Sequence, residues 1–110
     1  MTVRRALAAV FAAAALFHLA ALVSPELTEP SPAWRHLLFT ALNAAASWGF
    51  ARGFRGFPLF FAALLAQQLY SHGATAARLW RAQGRVDWAS AVVLIGMPAA
   101  ALAVPWKETA

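Results

Sequence analysis

Apolar residues fall in four long runs along the chain, at residues 6–23, 33–50, 57–77 and 88–104. A helix of about 20 apolar residues crosses the roughly 30 Å hydrocarbon layer of a bilayer. Short segments rich in proline, glycine and charged residues separate the runs, as expected of turns. The pattern predicts an all-α fold, an integral membrane four-helix transmembrane bundle with short loops, forming one transmembrane domain over residues 1–110.

The ends of the last two runs carry helix-boundary signals. The third helix is predicted to continue past the membrane and to end near Gly84. Asp87 suits the N-cap of the fourth helix, because a carboxylate there can accept bonds from the first free N–H groups. Pro98 lies within the fourth run and is expected to kink it, and Pro105 ends it.

The first run also resembles a secretory signal peptide, because Arg4 and Arg5 precede a short apolar stretch. Cleavage after such a stretch needs small residues at the upstream position. His18 or Leu19 would have to occupy that position, so we expect the run to persist as the first span.

The five tryptophans indicate the same boundaries independently. Each lies near a predicted span end: Trp34, Trp48, Trp80, Trp88 and Trp106. Amphipathic indole rings concentrate at the level of the lipid headgroups, where one edge is apolar and the other is wet. The tryptophans are therefore interpreted as an aromatic belt.

Composition narrows the class further. The chain is 62% hydrophobic and 12% charged, whereas soluble domains carry about 25% charged residues. It has no cysteine, which excludes disulfides, thiolate metal sites and cysteine nucleophiles. The net charge of +5 comes from basic residues at the ends of the runs, where they serve topology and lipid headgroups, so nucleic-acid binding is not predicted.

The distribution of basic residues suggests an orientation. With the N-terminus inside, the cytoplasmic basic residues are Arg4, Arg5, Arg52, Arg55 and Lys107. The external ones are then Arg35, Arg78, Arg81 and Arg85. This small majority favours a cytoplasmic N-terminus under the positive-inside rule. We predict a multi-pass protein of the cytoplasmic (inner) membrane of a bacterium.

Polar residues within the spans follow helical spacing. His36, Thr40, Asn43 and Ser47 recur at steps of four, three and four, which places them on one face of the second helix. Polar groups in a membrane normally face the bundle interior. We therefore expect this face to be buried, with Phe39 and Leu42 turned toward lipid or a neighbouring helix.

The three histidines are predicted to converge at one end of the bundle. Because successive helices alternate in direction, His18, His36 and His72 all lie roughly 6–9 Å from the midplane on the same side. Arg35 and Arg78 lie at that end as well, and we predict that they belong with the histidines to a ligand-binding site. Three histidines around an open fourth position are a known zinc arrangement, which makes the set a candidate metal site.

Two other interpretations of the histidines remain open. Two of them could ligate haem in a gap left by the small residues of 12–15 and 44–46. Alternatively, each could simply hydrogen-bond to a neighbouring helix, an interaction worth about 0.6 kcal/mol on average. Nearer the midplane, Asn43 and Gln68 could either line a cavity for a small ligand or bond to each other.

Three function classes fit these features. The leading hypothesis is a small membrane protein that binds a metal, haem or a small hydrophobic ligand at the histidine cluster near one membrane face. The second is a membrane enzyme acting on a lipid or isoprenoid, with histidine acid–base chemistry and with Arg78 and Arg81 holding an anionic head. The third is a non-catalytic accessory subunit. The expected partners are the lipid bilayer, an anionic lipid, and a second copy or a larger membrane complex.

Overall fold

The computed structural model describes residues 2–28 and 30–108, and within these residues it contains four α-helices and no strand. The helices are α1 (Val3–Val23), α2 (Ala33–Arg52), α3 (Phe57–Gln83) and α4 (Trp88–Ala103). Short 3-10 turns follow α1 at Pro25–Leu27 and α4 at Trp106–Glu108. Each apolar run corresponds to one helix, so the all-α prediction is confirmed.

Within the part of the chain that the structure describes, one helix, α1, is long and apolar enough to cross a membrane. It has 21 residues with a mean hydropathy of 2.3, and only 17% of its most apolar 18-residue window is buried. The helix α4 is also apolar but has 16 residues. Polar residues lower the hydropathy of α2 and α3. By length and composition, α1 is therefore a candidate membrane span, and the other three helices do not meet the same criteria.

The chain divides into two compact units, Met1–Phe57 with Trp106–Ala110, and Pro58–Pro105. In the first unit, α1 and α2 form an antiparallel hairpin. The hydroxyl of Ser47 donates to the carbonyl oxygen of Ala8 at 2.7 Å. One turn nearer the start of α1 and the end of α2, Arg4 Nε donates to the carbonyl oxygen of Phe50 at 3.0 Å. These bonds join the start of α1 to the end of α2.

An aromatic cluster forms the core of the first unit. The rings of Phe50 and Phe57 are both fully buried, and their centroids lie 5.0 Å apart in an edge-to-face contact. Phe11 lies 5.4 Å from Phe50, and Trp106 lies 6.0 Å from Phe57. Edge-to-face pairs of this kind stabilise a core beyond the area that they bury.

The turn between α2 and α3 depends on glycine. The chain leaves α2 at Gly53 with φ at 73° and approaches α3 through Gly56 with φ at 82°. Side chains other than glycine rarely adopt positive φ, because their Cβ meets the following carbonyl. This turn lets Phe57 fold back onto Phe50.

In the second unit, α3 and α4 contribute the buried residues. They are Phe61, Leu64 and Leu79 from α3, and Ser90, Met97, Ala100 and Val104 from α4 and its end. The helix α3 ends just before Gly84, which has φ at 58°, as predicted from the sequence. Pro98 lies within α4.

Candidate functional site: a histidine pair and a buried serine relay

The α1–α2 hairpin brings two histidine rings into direct contact. His18 Nδ1 lies 3.3 Å from His36 Nδ1. His36 is buried, and His18 is half-buried. On the far side of the His36 ring, Nε2 lies 3.4 Å from the hydroxyl oxygen of Thr28. The three side chains form a row, and we call His18 and His36 the histidine pair.

Local structure explains how these residues meet. His18 lies in the last two turns of α1, and His36 lies in the first turn of α2. The 3-10 turn Pro25–Leu27 reverses the chain between them, so the C-terminal part of α1 faces the N-terminal part of α2. Thr28 follows that turn directly. The sequence does not point to Thr28, because a residue in an irregular loop carries no periodic signal.

The contact between the two rings holds a single proton. One Nδ1 must donate while the other accepts, since two N–H groups or two lone pairs facing each other would repel. If His18 Nδ1 donates, His36 is left with its proton on Nε2, where it donates to Thr28. The opposite tautomers also satisfy both hydrogen bonds of the row, and the Thr28 hydroxyl then donates to His36 Nε2.

Aromatic rings enclose the pair. The His18 ring stacks on Phe39 at 5.5 Å and meets the edge of Phe17 at 5.9 Å. The guanidinium of Arg35 lies 5.2 Å above the Phe39 ring, a cation–π contact. Phe39 is buried, so of the two predicted directions it takes the one toward the neighbouring helix. Arg35, a predicted ligand-binding residue, is adjacent to the pair through this ring.

The predicted polar face of α2 divides into two kinds of group. The side chains of Thr40 and Asn43 donate to carbonyl oxygens of their own helix, those of His36 and Phe39, each at 2.7 Å. Ser47 instead bonds to α1. Thr40, Asn43 and Ser47 are half-buried, and His36 is the most buried of the four. Asn43 therefore stabilises its own helix.

A second polar group lies in the unit Pro58–Pro105. His72 Nδ1 on α3 lies 3.0 Å from the hydroxyl oxygen of Ser90 on α4, and Ser90 is fully buried. The Ser90 hydroxyl donates to Asp87 Oδ2. Because a hydroxyl has one proton, Ser90 must accept from His72, which places the His72 proton on Nδ1. We call His72, Ser90 and Asp87 the serine relay.

Asp87 occupies the N-cap position of α4 as predicted, but its side chain makes no capping hydrogen bond. Its carboxylate accepts from Ser90 instead. The spacing of three residues between them was the available signal, since it places both on one face of a helix turn. The sequence predicts the capping position of Asp87 but not its bond to Ser90.

The two other predicted ligand-binding residues lie on α3. Gln68 Nε2 donates to the side-chain oxygen of its neighbour Gln67 at 2.7 Å, and Gln67 is exposed. Arg78 is exposed and lines a shallow, open surface groove. Neither residue belongs to the histidine pair or the serine relay.

Of the three histidines in the predicted metal site, His18 and His36 meet in the first unit. Neither unit contains, among its described residues, a group of three histidine, aspartate or glutamate side chains placed to hold a metal ion. His72 belongs to the second unit, where its Nδ1 bonds to Ser90. The joining of all three histidines stays a prediction.

The histidine pair and the serine relay have different chemistry. The pair presents two facing nitrogens that share one proton. A metal cation can take the place of such a proton. The relay connects a carboxylate to an imidazole through a buried hydroxyl, an arrangement that orients the imidazole. No protein-family model, curated protein or solved structure matches the chain.

Proposed function

We propose that this chain is a small multi-pass membrane protein that binds a transition metal ion, of which Zn²⁺ is the representative, through Nδ1 of His18 and of His36. The observation that carries the proposal is the 3.3 Å separation of those two nitrogens. Two ligands bound to zinc at 2.0–2.1 Å and separated by the tetrahedral angle stand about 3.3–3.4 Å apart. A zinc ion at this distance from both nitrogens lies about 1.2 Å off the line that joins them, so it can replace the shared proton when each ring turns its lone pair toward the ion.

Thr28 supports the same role. Histidines that ligate a metal usually donate their other ring N–H to an oxygen, which fixes the tautomer and the ring orientation. The distance of 3.4 Å from His36 Nε2 to the Thr28 hydroxyl is compatible with this bond. With the His36 proton on Nε2, Nδ1 carries the lone pair that a metal requires.

The geometry favours a small ion over haem. Bis-histidine ligation of haem requires a planar macrocycle between the two ligating nitrogens. Two Nδ1 atoms at 3.3 Å leave no such space unless the hairpin opens. Two protein ligands also leave positions on the ion for water or a further ligand, so we expect weaker binding than at a closed four-ligand site.

The membrane part of the proposal rests on the exposed surface. Every helix exposes large apolar side chains, for example Leu16 on α1, Leu37 on α2, Leu59 on α3 and Leu102 on α4. Water-soluble proteins rarely expose large apolar side chains on every helix. In addition, four of the tryptophans are exposed near helix ends: Trp34, Trp48, Trp80 and Trp88. Indole rings so placed suit the headgroup level of a bilayer.

Single-cysteine labelling tests the topology, because the chain has no native cysteine. Cysteine in place of Glu26, Arg55, Gln83 or Lys107 puts one reactive thiol in each segment outside the helices' apolar parts. A membrane-impermeant maleimide applied to intact cells should label positions 26 and 83 and spare 55 and 107. Labelling of 26 and 55 from the same side would contradict the four-span bundle, and recovery of the protein in the soluble fraction would contradict any membrane location.

Zinc titration of the detergent-purified protein tests the metal site. Competition against a chromogenic chelator should reveal one Zn²⁺ per chain. His18→Ala and His36→Ala should each reduce binding to background, because one remaining imidazole cannot hold the ion. Thr28→Val should weaken binding by about tenfold, the lower end of the effect of removing an outer-shell partner.

Thr40→Val is the matched control for Thr28→Val. It removes a hydroxyl that donates to the carbonyl oxygen of His36 within α2, so zinc affinity should be unchanged. Zinc binding that survives in His18→Ala or His36→Ala would contradict the proposal. His72→Ala separates the two ligand sets: unchanged affinity confines the site to the pair, and loss supports the predicted three-histidine site.

The serine relay favours a second candidate function, acid–base chemistry on a lipid-soluble substrate. The carboxylate of Asp87 orients His72 through Ser90, and this leaves the lone pair on His72 Nε2, where a general base needs it. Ser90 is fully buried and donates to Asp87, so it orients the histidine and is not placed as a nucleophile.

A further inference from the structure

We propose that Arg78 and Arg81 on α3 form a binding site for the phosphate of an anionic phospholipid. The inference rests on the membrane location proposed above and is independent of metal binding. Both arginines are exposed. They line a shallow groove together with Ala74, Ala77 and Ala82.

The length of α3 places this site at headgroup level. The helix has 27 residues and is therefore about 40 Å long, compared with roughly 30 Å of hydrocarbon. It begins at Phe57, just after the basic turn that contains Arg55. About 20 residues cross the layer, so the last two turns of α3 extend into the headgroup region.

The groove lies on the outer face of α3. Leu79 is buried and marks the inner face of α3 at this level. At 100° per residue, the five groove residues span one arc of the helix that points away from Leu79. Among the residues that the structure describes, neither Arg78 nor Arg81 has a hydrogen-bonded or ion-paired partner. Their guanidinium groups are thus available to an external anion.

The lining of the groove selects a lipid over other anions. Ala74 lies one turn deeper than Arg78, and Ala77 lies one turn deeper than Arg81. These small side chains leave space for the upper part of an acyl chain. Arg78 and Arg81, three residues apart, can both donate to the oxygens of one phosphate, which arginine binds in a fork geometry. Trp80 is exposed beside them, at the depth that indole rings prefer. An amphiphile with one phosphate head matches each of these features.

Electron paramagnetic resonance of spin-labelled lipids tests the site in reconstituted vesicles. The protein is placed in phosphatidylcholine vesicles that contain trace spin-labelled phosphatidylglycerol or, in parallel, spin-labelled phosphatidylcholine. The wild-type protein should prefer phosphatidylglycerol by on the order of 10- to 30-fold, as two arginines near a membrane surface provide. The double variant Arg78→Gln, Arg81→Gln should bring this preference close to one.

The double variant Arg52→Gln, Arg55→Gln is the matched control, because it removes the same charge at the other end of α3. It should keep the preference for phosphatidylglycerol. Equal loss in both double variants would overturn the site in favour of diffuse charge attraction, and so would a wild-type protein without preference. Displacement of the lipid by excess inorganic phosphate at constant ionic strength would also overturn it, since the occupant would then be a free phosphate.

Failure of the membrane proposal has a different signature. A protein that does not enter vesicles of either composition contradicts the membrane location itself. A protein that enters both and restricts both spin labels equally contradicts only the lipid site. A double variant Arg78→Lys, Arg81→Lys that keeps part of the preference for phosphatidylglycerol would support a contact by charge without the fork geometry of arginine.

Discussion

Zinc should leave the protein as the pH falls, with the apparent dissociation constant rising by about 100-fold per pH unit in the acid range. Imidazole binds a metal only as the neutral ring, so each ligating histidine must lose a proton for zinc to bind. When both rings of the free protein are protonated, binding releases two protons, and the slope follows from that number. Chelator competition in detergent between neutral pH and about pH 5 measures it.

The slope of the logarithm of the dissociation constant against pH also gives the number of histidine ligands. Two histidines give a slope of two in the logarithm of the dissociation constant, and three histidines give a slope of three. A slope of three that returns to two in His72→Ala would support the three-histidine site predicted from the sequence. Affinity that does not depend on pH would contradict imidazole ligation altogether.

Gly49→Ala should destabilise the protein by about 1–3 kcal/mol, the usual cost of overpacking a core. A Cβ at Gly49 would lie closer than 3.0 Å to three atoms of the Phe57 ring. That ring is fully buried and contacts Phe50, Phe54 and Trp106, so it has no free direction in which to move. Loss of helical circular dichroism in a denaturing-detergent titration of micellar protein measures the change.

Gly73→Ala is the control for this substitution. Gly73 also lies inside a helix, but nothing lies within 4 Å of an added Cβ. Its replacement should be neutral or stabilising by up to about 1 kcal/mol, because alanine loses less backbone entropy in a helix. Equal stability of the two variants would show that the Phe57 ring yields easily, which would contradict the rigid aromatic core.

The release of zinc at low pH and the Gly49→Ala substitution concern opposite ends of the α1–α2 hairpin. The aromatic core around Phe50 joins the start of α1 to the end of α2, and the histidine pair joins the end of α1 to the start of α2. If the core holds the hairpin in register, a disordered core should also separate His18 from His36. Gly49→Ala should then weaken zinc binding even though Gly49 is remote from the metal.

The number and kind of the helices, and nearly their bounds, can be read from the amino-acid sequence. Apolar runs and the turns between them are local properties, since each helix satisfies its backbone hydrogen bonds within itself. The predicted second span, residues 33–50, differs from Ala33–Arg52 by two residues at one end. The extension of α3 to the residue before Gly84 was likewise readable, because a glycine and polar residues end the helix.

Helical spacing also predicted which residues share a face, and burial of His36 follows from it. It did not predict that Phe39 is more buried than Thr40, Asn43 or Ser47. Periodicity orders residues around one helix but leaves open how far each helix is rotated toward its neighbour. In α2 that rotation brings Phe39 onto the His18 ring.

Which polar groups meet depends on how the helices pack against each other. The depth of His18 and His36 was calculable from helix direction, yet their 3.3 Å contact depends on the lateral packing of α1 on α2. Thr28 reaches His36 because of a loop conformation, and Ser90 meets His72 because of the pairing of α3 with α4. Contacts between residues distant in sequence are selected by side-chain packing, and packing depends on every neighbour at once.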